Sequence, residues 1–287
     1  MPSRGFDQVN AFLQIYNETV QEYEDINNSN VLLNYDSNDI ETTEFFSLNA
    51  DARIFWGGDL SVSKLKQIIS KERAIDVIFS DRHSGSIIDV DTLSRATPKE
   101  FERLTHNLYN DIFLMDQNAC SSPRVIFWKG GSNNAYTSCK DELLSSVLAI
   151  AKKKYSIEAS QVISKFNNAC KHSIQSSGES KINVNDGYLF TQNIFSETSK
   201  LDAYDINSGY ILETRIRNLE GLLPYLDKKF QTMGYFGISK SELKLFIGKH
   251  KPIGIDRFTP IGSALDIGII WDGFDLIRTL SRIIQIS

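Results

Sequence analysis

The residue in this sequence best suited to covalent chemistry is Cys120, which lies in the segment Asp116–Phe127, DQNACSSPRVIF. The cysteine occupies a turn of small, polar residues between an apolar stretch and a strand-like run, which predicts a thiol exposed at the edge of a sheet. A thiolate is a strong nucleophile and a good leaving group, so it suits transfer of an acyl group between thioesters. The pattern fits an ordinary buried cysteine equally well.

The residues around Cys120 suggest how such a thiol would be used. Ser121 and Ser122 leave room for a substrate, and backbone N–H groups in a turn of small residues can bind a developing oxyanion. The other two cysteines favour structural roles, because Cys139 lies at a predicted helix start and Cys170 on an apolar helix face. The four histidines show no metal-ligand spacing, so no metal site is expected.

The elements that must position Cys120 alternate between strands and helices. Ala52–Trp56 and Ala74–Phe79 are strand-like and flank a helical apolar pattern, which predicts a βαβ unit. Gly57 and Gly58 form the turn after its first strand, where glycines let a ligand approach closely, and we expect them to face a cofactor. The fold class is therefore α/β.

Later in the chain the same alternation continues. Further strands are predicted at Val125–Trp128, Tyr210–Ile216 and Thr232–Ile238. Helices are predicted after three capping or start positions and at the C-terminus. The three helix starts are Ser138 with Asp141, the region near Ser156, and Ser239 with Glu242. The C-terminal helix is predicted at Asp275–Ile284.

Length and charge limit the function classes. The chain has 287 residues, which suits one large domain or two smaller ones. A net charge of −5 gives no reason to expect nucleic acid or an anionic membrane surface as a partner. No apolar run reaches the roughly 18 residues of a spanning helix. Three cysteines without a CxxC pair and an N-terminus without an apolar signal region predict a cytoplasmic protein.

Four segments, taken together, carry a resemblance to a known family. DQNACSSPRVIF resembles the nucleophile motif of the acyl-CoA reductase family, which includes the long-chain fatty acid reductases of the bacterial bioluminescence operon. Phe55–Val62, Lys229–Ile238 and Gly254–Ile284 resemble family segments in the same order. The family is similar to the aldehyde dehydrogenase superfamily. The resemblance implies an aldehyde-dehydrogenase-like fold, with a partial Rossmann-type cofactor domain at residues 1–92 and an α/β catalytic domain with a C-terminal helix at residues 93–287.

The resemblance also implies a reaction. An acyl-CoA or acylated protein would transfer its long-chain acyl group to Cys120, and NADPH would reduce the thioester to an aldehyde. One alternative is a CoA-acylating aldehyde dehydrogenase that works in the oxidative direction. Another is an inactive, truncated remnant that only binds a partner enzyme, such as an acyl-protein synthetase. The protein is expected to form a homo-oligomer or a hetero-oligomer.

The first residues bear on the cofactor. MPSRGFDQ resembles a Lys-Pro-Ser-Glu type segment of the superfamily, with Met1 in the lysine position and Arg4 in the glutamate position. This implies a chain that begins inside the cofactor-binding domain. An arginine fork can bind a phosphate through charge-assisted hydrogen bonds, and a serine can add one more. Arg4 and Ser3 therefore favour NADPH over NADH.

Two further interpretations concern acidic residues. A hydrolytic dehydrogenase needs a base to activate water, whereas a reductase uses hydride instead. Glu100 and Glu102 resemble solvated helix charges, and their context does not resemble that of the dehydrogenase base. Asp272, in the family-like segment Trp271–Gly273, is interpreted as a cap near the start of the last helix.

Overall fold

The computed structural model describes residues 7–175, 181–194, 201 and 206–287. The chain divides into two compact units, Met1–Ile78 and Phe79–Ser287. This division precedes the boundary predicted between residues 92 and 93. The strand at His83–Asp89 lies in the interior of the second unit's sheet, and the division into a cofactor-binding and a catalytic domain stays a prediction.

The first unit is helical around a small sheet. Its elements are α1 (Asp7–Val20), α2 (Glu24–Ser29), α3 (Ile40–Asn49), β1 (Ala52–Trp56), α4 (Asp59–Lys66) and β2 (Ile75–Phe79). β1 and β2 form a two-stranded sheet, which confirms the predicted strand–helix–strand order. Assignment of this unit to half of a cofactor-binding domain stays a prediction.

A buried arginine holds the small sheet to its surroundings. Arg53 on β1 donates to both carboxylate oxygens of Asp76 on β2, each at 2.7 Å. It also donates to Ser47 Oγ at 2.6 Å and to the Ile68 carbonyl at 3.0 Å. The side chain is 9% exposed. Because a planar guanidinium matches a carboxylate with two parallel bonds, this pair fixes the register of the two strands.

The second unit contains the larger sheet. Its elements in chain order are β3 (His83–Asp89), α5 (Val90–Leu93), α6 (Pro98–Phe113), β4 (Pro123–Lys129), α7 (Asn133–Lys154), α8 (Ala159–Gln175), β5 (Ile182–Asn185), β6 (Leu189–Asn193), β7 (Tyr210–Ile216), a 3₁₀ helix (Leu219–Tyr225), β8 (Phe230–Phe236), α9 (Lys240–His250), β9 (Arg257–Pro260), β10 (Ile270–Trp271), β11 (Phe274–Asp275) and α10 (Leu276–Thr279).

The strand order of this sheet is β5-β6-β7-β4-β3-β8-β9. Among the described strands of this seven-stranded sheet, only β5 runs antiparallel to its neighbour. Both faces are buried: Val125 and Phe127 belong to one core cluster, while Ile126 and Trp128 belong to the other. A central parallel strand is expected to be apolar on both faces, which β4 is. The amino ends of β3, β4, β8 and β9 share one edge, called here the amino edge.

Two predicted element ends are wrong for identifiable reasons. α7 begins at Asn133 with Ser132 as its N-cap, so Ser138 lies inside the helix. The predicted C-terminal helix is the single short helix α10, capped by Asp275 through the N–H of Arg278. Asp272 is therefore not the cap. It forms the turn between β10 and β11 with φ 48°, followed by Gly273 with φ 78°. Asp-Gly suits such a hairpin turn, because both positions need positive φ.

We expect Arg53→Lys to destabilise the first unit by about 2 kcal/mol, because lysine keeps the charge and loses the paired hydrogen bonds to Asp76. Native-state hydrogen exchange at the amides of β1 and β2 measures this loss. Lys71→Ala is the matched control, since Lys71 pairs with Asp51 at an exposed position and such pairs contribute little. Equal protection in Arg53→Lys and the control would contradict the role assigned to Arg53.

Candidate active site

Cys120 lies at the amino edge, in the turn that joins α6 to β4. The turn is closed by the N–H of Ser122, which donates to the Ala119 carbonyl at 2.9 Å. The Cys120 side chain is partly exposed. The Cys120 thiol therefore lies at the edge of a sheet, as predicted. The N–H of Ser122 is therefore already hydrogen-bonded within the chain.

Gln117 anchors the turn to the neighbouring strand β7. It is fully buried and adopts a left-handed backbone conformation with φ 59°. Its side-chain amide donates to the carbonyls of Pro123 and Tyr210, at 2.8 and 2.9 Å. Its oxygen accepts from the N–H groups of Gly209 and Tyr210, at 3.0 and 3.1 Å. All four hydrogen-bonding positions of the amide are used, so the turn is fixed on this side.

Arg82 contacts Cys120 from the other side. Its backbone N–H lowers the pKa of the Cys120 thiol, opposing the effect of burial, because an N–H facing the sulfur favours the thiolate. Its guanidinium donates to the carbonyls of Lys229, Phe230 and Gly254, at 3.1, 2.6 and 2.8 Å, and to Asp256 at 2.6 Å. These acceptors lie at the starts of β8 and β9. Arg82 therefore connects the thiol to three strands of the amino edge.

Burial dominates the electrostatics of the thiol. Burial raises the pKa of Cys120, and the N–H of Arg82 opposes this effect because it favours the thiolate. The charges of Asp272 and Asp81 raise the same pKa, whereas that of Arg124 lowers it. Cys120 is therefore a thiol at neutral pH in this environment, and its proton must leave before it can attack.

Asp272 belongs to the surroundings of the nucleophile. It accepts a hydrogen bond from the Gln231 side chain. Burial raises the pKa of Asp272, while the hydrogen bond from Gln231 and the charge of Arg82 act in the opposite direction. The sequence-based interpretation as a helix cap missed this location. The Asp-Gly pair was the available signal, because it predicts a hairpin rather than a helix start.

The two predicted substrate residues beside the nucleophile are both buried. Ser121 is 4% exposed and Ser122 is 1% exposed. Within the described part of the chain the Ser122 hydroxyl has no hydrogen-bond partner. A buried hydroxyl without a partner is costly, so its presence next to a nucleophile favours a role in binding substrate oxygen.

Two of the predicted cofactor residues lie in the described part of the first unit. Gly57 and Gly58 form the turn from β1 into α4, with Gly58 as its N-cap. A side chain at Gly57 would meet nothing closer than Ser61 Cβ at 3.8 Å, so packing within the chain does not demand glycine there. This fits a turn kept open for a ligand. Ser3 and Arg4 lie outside the described residues.

Other candidates have structural roles. Cys139 is buried in α7 and Cys170 is exposed on α8, so Cys170 is not the core residue suggested by its apolar face. Glu100 completes a capping box with Thr97 at the start of α6. Over the described ranges no group of three or more His, Cys, Asp or Glu residues could hold a metal ion. None of the helices described is long and apolar enough to cross a membrane.

Comparison with known proteins agrees with this architecture. A family model described as acyl-CoA reductase (LuxC) matches residues 7–284. No curated protein sequence matches. Among solved structures, methylmalonate-semialdehyde dehydrogenase (DddC) from Oceanimonas doudoroffii is 11% identical with a TM-score of 0.57, covering 83% of this chain and 50% of that one.

Two structures from Sinorhizobium meliloti are similar to the same extent. An NAD-dependent aldehyde dehydrogenase is 11% identical with a TM-score of 0.55, covering 80% of this chain and 47% of that one. A putative methylmalonate-semialdehyde dehydrogenase complexed with NAD is 11% identical with a TM-score of 0.53, covering 80% and 49%. The fold is thus aldehyde-dehydrogenase-like. The chain spans about half the length of these proteins.

We expect the rate at which iodoacetamide alkylates Cys120 to rise with pH through a midpoint above the usual pKa of a cysteine thiol, because burial disfavours the thiolate. Asp272→Asn should lower this midpoint, since the charge of Asp272 raises the pKa of Cys120. Asp275→Asn is the matched control, because asparagine can still cap α10. Peptide-resolved mass spectrometry measures both rates. A midpoint that Asp272→Asn leaves unchanged would contradict the electrostatic contact.

Proposed function

Because the chain belongs to the acyl-CoA reductase (LuxC) family, we propose that it reduces a long-chain acyl thioester, either acyl-CoA or acyl-protein, to an aldehyde with NADPH. The acyl group is carried on Cys120. One observation carries this proposal: a partly exposed thiol in a turn held on both sides, with a backbone N–H facing its sulfur.

The acyl transfer follows from the groups at the turn. The Cys120 sulfur bonds to the thioester carbonyl carbon, and the bond from that carbon to the departing sulfur breaks. The proton of the Cys120 thiol ends on the departing thiol, so the step is neutral overall. The unpartnered hydroxyl of Ser122 donates to the carbonyl oxygen as negative charge develops there. Ser121 keeps its assignment as a lining residue of the acyl site.

The second half-reaction returns the thiol. The nicotinamide cofactor, when bound, supplies the hydride for the thioester carbon. The resulting hemithioacetal on Cys120 then breaks its carbon–sulfur bond, and the aldehyde leaves while the sulfur regains a proton. Gly57 and Gly58 would hold the cofactor at the β1–α4 turn, together with Ser3 and Arg4. The N–H of Arg82 favours the thiolate that departs in this step.

A role in binding a partner enzyme is supported by a separate observation. The first unit exposes large apolar side chains, including Leu60 at 83% and Trp56 at 62%. Side chains of this kind mark an interaction site where they form one contiguous patch. An acyl-protein synthetase or a second copy of the chain would cover it. This role is compatible with catalysis at Cys120, and a chain that showed only this role would be the inactive remnant.

We expect Cys120→Ala to abolish labelling by radiolabelled acyl-CoA, because covalent attachment needs the thiol. The label on the wild-type protein should be released by hydroxylamine, as a thioester is. Cys139→Ala and Cys170→Ala are matched controls and should keep the label. Hydroxylamine-sensitive label that persists on a folded Cys120→Ala variant would sink the assignment.

For the cofactor we expect Arg4→Glu to lower the preference for NADPH over NADH by about tenfold or more, since a charge-assisted bond to the 2′-phosphate is lost and repulsion replaces it. Titration of both nucleotides against the wild-type and variant proteins measures the ratio of the two Kd values. Lys66→Glu makes the same charge change at an exposed position of the first unit and serves as control. A ratio that Arg4→Glu and the control change equally shows that Arg4 does not bind the phosphate.

A further inference from the structure

At its amino end, strand β3 has one register irregularity toward β4 and another toward β8. Toward β4, Ser84 is opposite Pro123 and Gly85 is opposite Val125, so β4 carries one extra residue. Toward β8, the pairing passes from Phe230 to Met233 over the same short stretch of β3. Bulges of this kind leave backbone groups without their ladder partners. Position 84 is thus the point at which β3 loses regular pairing on both sides.

The hydroxyl of Ser84 forms hydrogen bonds where the regular ladder is interrupted. The N–H of Thr232 donates to Ser84 Oγ at 3.0 Å. Ser84 Oγ in turn donates to the Cys120 carbonyl at 2.6 Å. The serine is fully buried. A hydroxyl has a single proton, so its direction is fixed: β8 donates to the serine, and the serine donates to the turn that holds the nucleophile.

The surroundings of this bridge are tightly packed. A side chain at Gly85 would lie 2.8 Å from Val125 Cγ1 and 3.1 Å from the Val125 carbonyl oxygen, so the strands approach too closely for one. Hydrogen bonds in such a dry interior are stronger than in water, and they are costly to leave unmade. The Ser84 bridge is therefore a stiff connection.

We propose that Ser84 is a positioning residue for Cys120. Ser84 donates its hydroxyl to the Cys120 carbonyl and accepts from the N–H of Thr232, so it ties the cysteine to β3 and β8, while the backbone N–H of Arg82 acts on the sulfur. Together they fix the Cys120 peptide and side chain against β3. Without the serine hydroxyl the Cys120 carbonyl loses its hydrogen bond to β3, and the peptide can shift within a turn that Gln117 and the Ser122–Ala119 bond still hold. The significance for catalysis rests on the proposed function of Cys120.

The test measures thiol reactivity in the absence of any acyl donor. Ser84→Ala is treated with iodoacetamide across neutral to alkaline pH, and each cysteine is followed by peptide-resolved mass spectrometry. Cys170, which is exposed on α8, is the internal reference. We expect Cys120 in the variant to react about tenfold more slowly at neutral pH, with its midpoint moved upward, because the sulfur then gains less from the N–H that favours its thiolate. Cys170 should be unchanged.

Three variants separate positioning from general loosening. Ser86→Ala removes a buried hydroxyl two residues along the same strand and should leave the Cys120 profile unchanged. Ser84→Thr keeps the hydroxyl and should retain most of the wild-type reactivity. Ser84→Val has the same shape as threonine without the hydroxyl and should behave like Ser84→Ala. If Ser84→Ala does not fold, the comparison of Ser84→Thr with Ser84→Val provides the test.

The outcomes distinguish the positioning role of Ser84 from the proposed acyl transfer to Cys120. A Cys120 profile in Ser84→Ala or Ser84→Val that equals that of the wild type overturns the positioning role, and so does an equal effect of Ser86→Ala. This result does not depend on whether Cys120 carries an acyl group, because alkylation requires only the thiol. With an acyl donor present, Ser84→Ala should lower kcat more than it changes KM, since the serine does not touch substrate.

Discussion

The arrangement at the amino edge depends on the partly buried guanidinium of Arg82. Three carbonyls at or just before the starts of β8 and β9 accept hydrogen bonds from this one side chain, and that of Lys229 also accepts from the N–H of His83. Asp256 balances the charge, with only part of either side chain exposed. Removing the arginine would take one hydrogen-bond donor away from each of these carbonyls and leave the carboxylate of Asp256 without its ion-pair partner. The thiol is placed by the backbone of the same residue, so its position depends on this network.

The turn with Cys120 is fixed between two strands by different chemistry on each side. Gln117 binds it to β7 through an amide whose four positions are all used. Arg82 and Ser84 bind it to β3. A nucleophile held in this way keeps its geometry before substrate arrives, which lowers the entropic part of the barrier. The same burial raises the pKa of the Cys120 thiol, so rigidity and easy ionisation oppose each other at this site.

The sequence predicted the features that depend on local pattern. The apolar runs of β1, β4, β7 and β8 and the turn around Cys120 all appear where periodicity indicated them. Features that depend on distant residues could not be predicted. Arg82 meets Lys229 and Gly254 only because parallel strands bring their amino ends together, and no spacing in the chain indicates this. The bulges around Ser84 leave no sequence signature either. Asp272 was misread because a polar residue before an apolar stretch indicates a cap as readily as a turn.

The most direct test of this account is a crystal structure of the protein after reaction with a long-chain acyl-CoA. The account predicts electron density that continues from Cys120 Sγ into an acyl chain. It also predicts that the Ser84 hydroxyl remains bonded to the Cys120 carbonyl with the Arg82 N–H still facing the sulfur, and that the acyl oxygen lies within hydrogen-bond distance of the Ser122 hydroxyl. An acyl group on Cys139 or Cys170, or a Cys120 that leaves the amino edge when acylated, would contradict it.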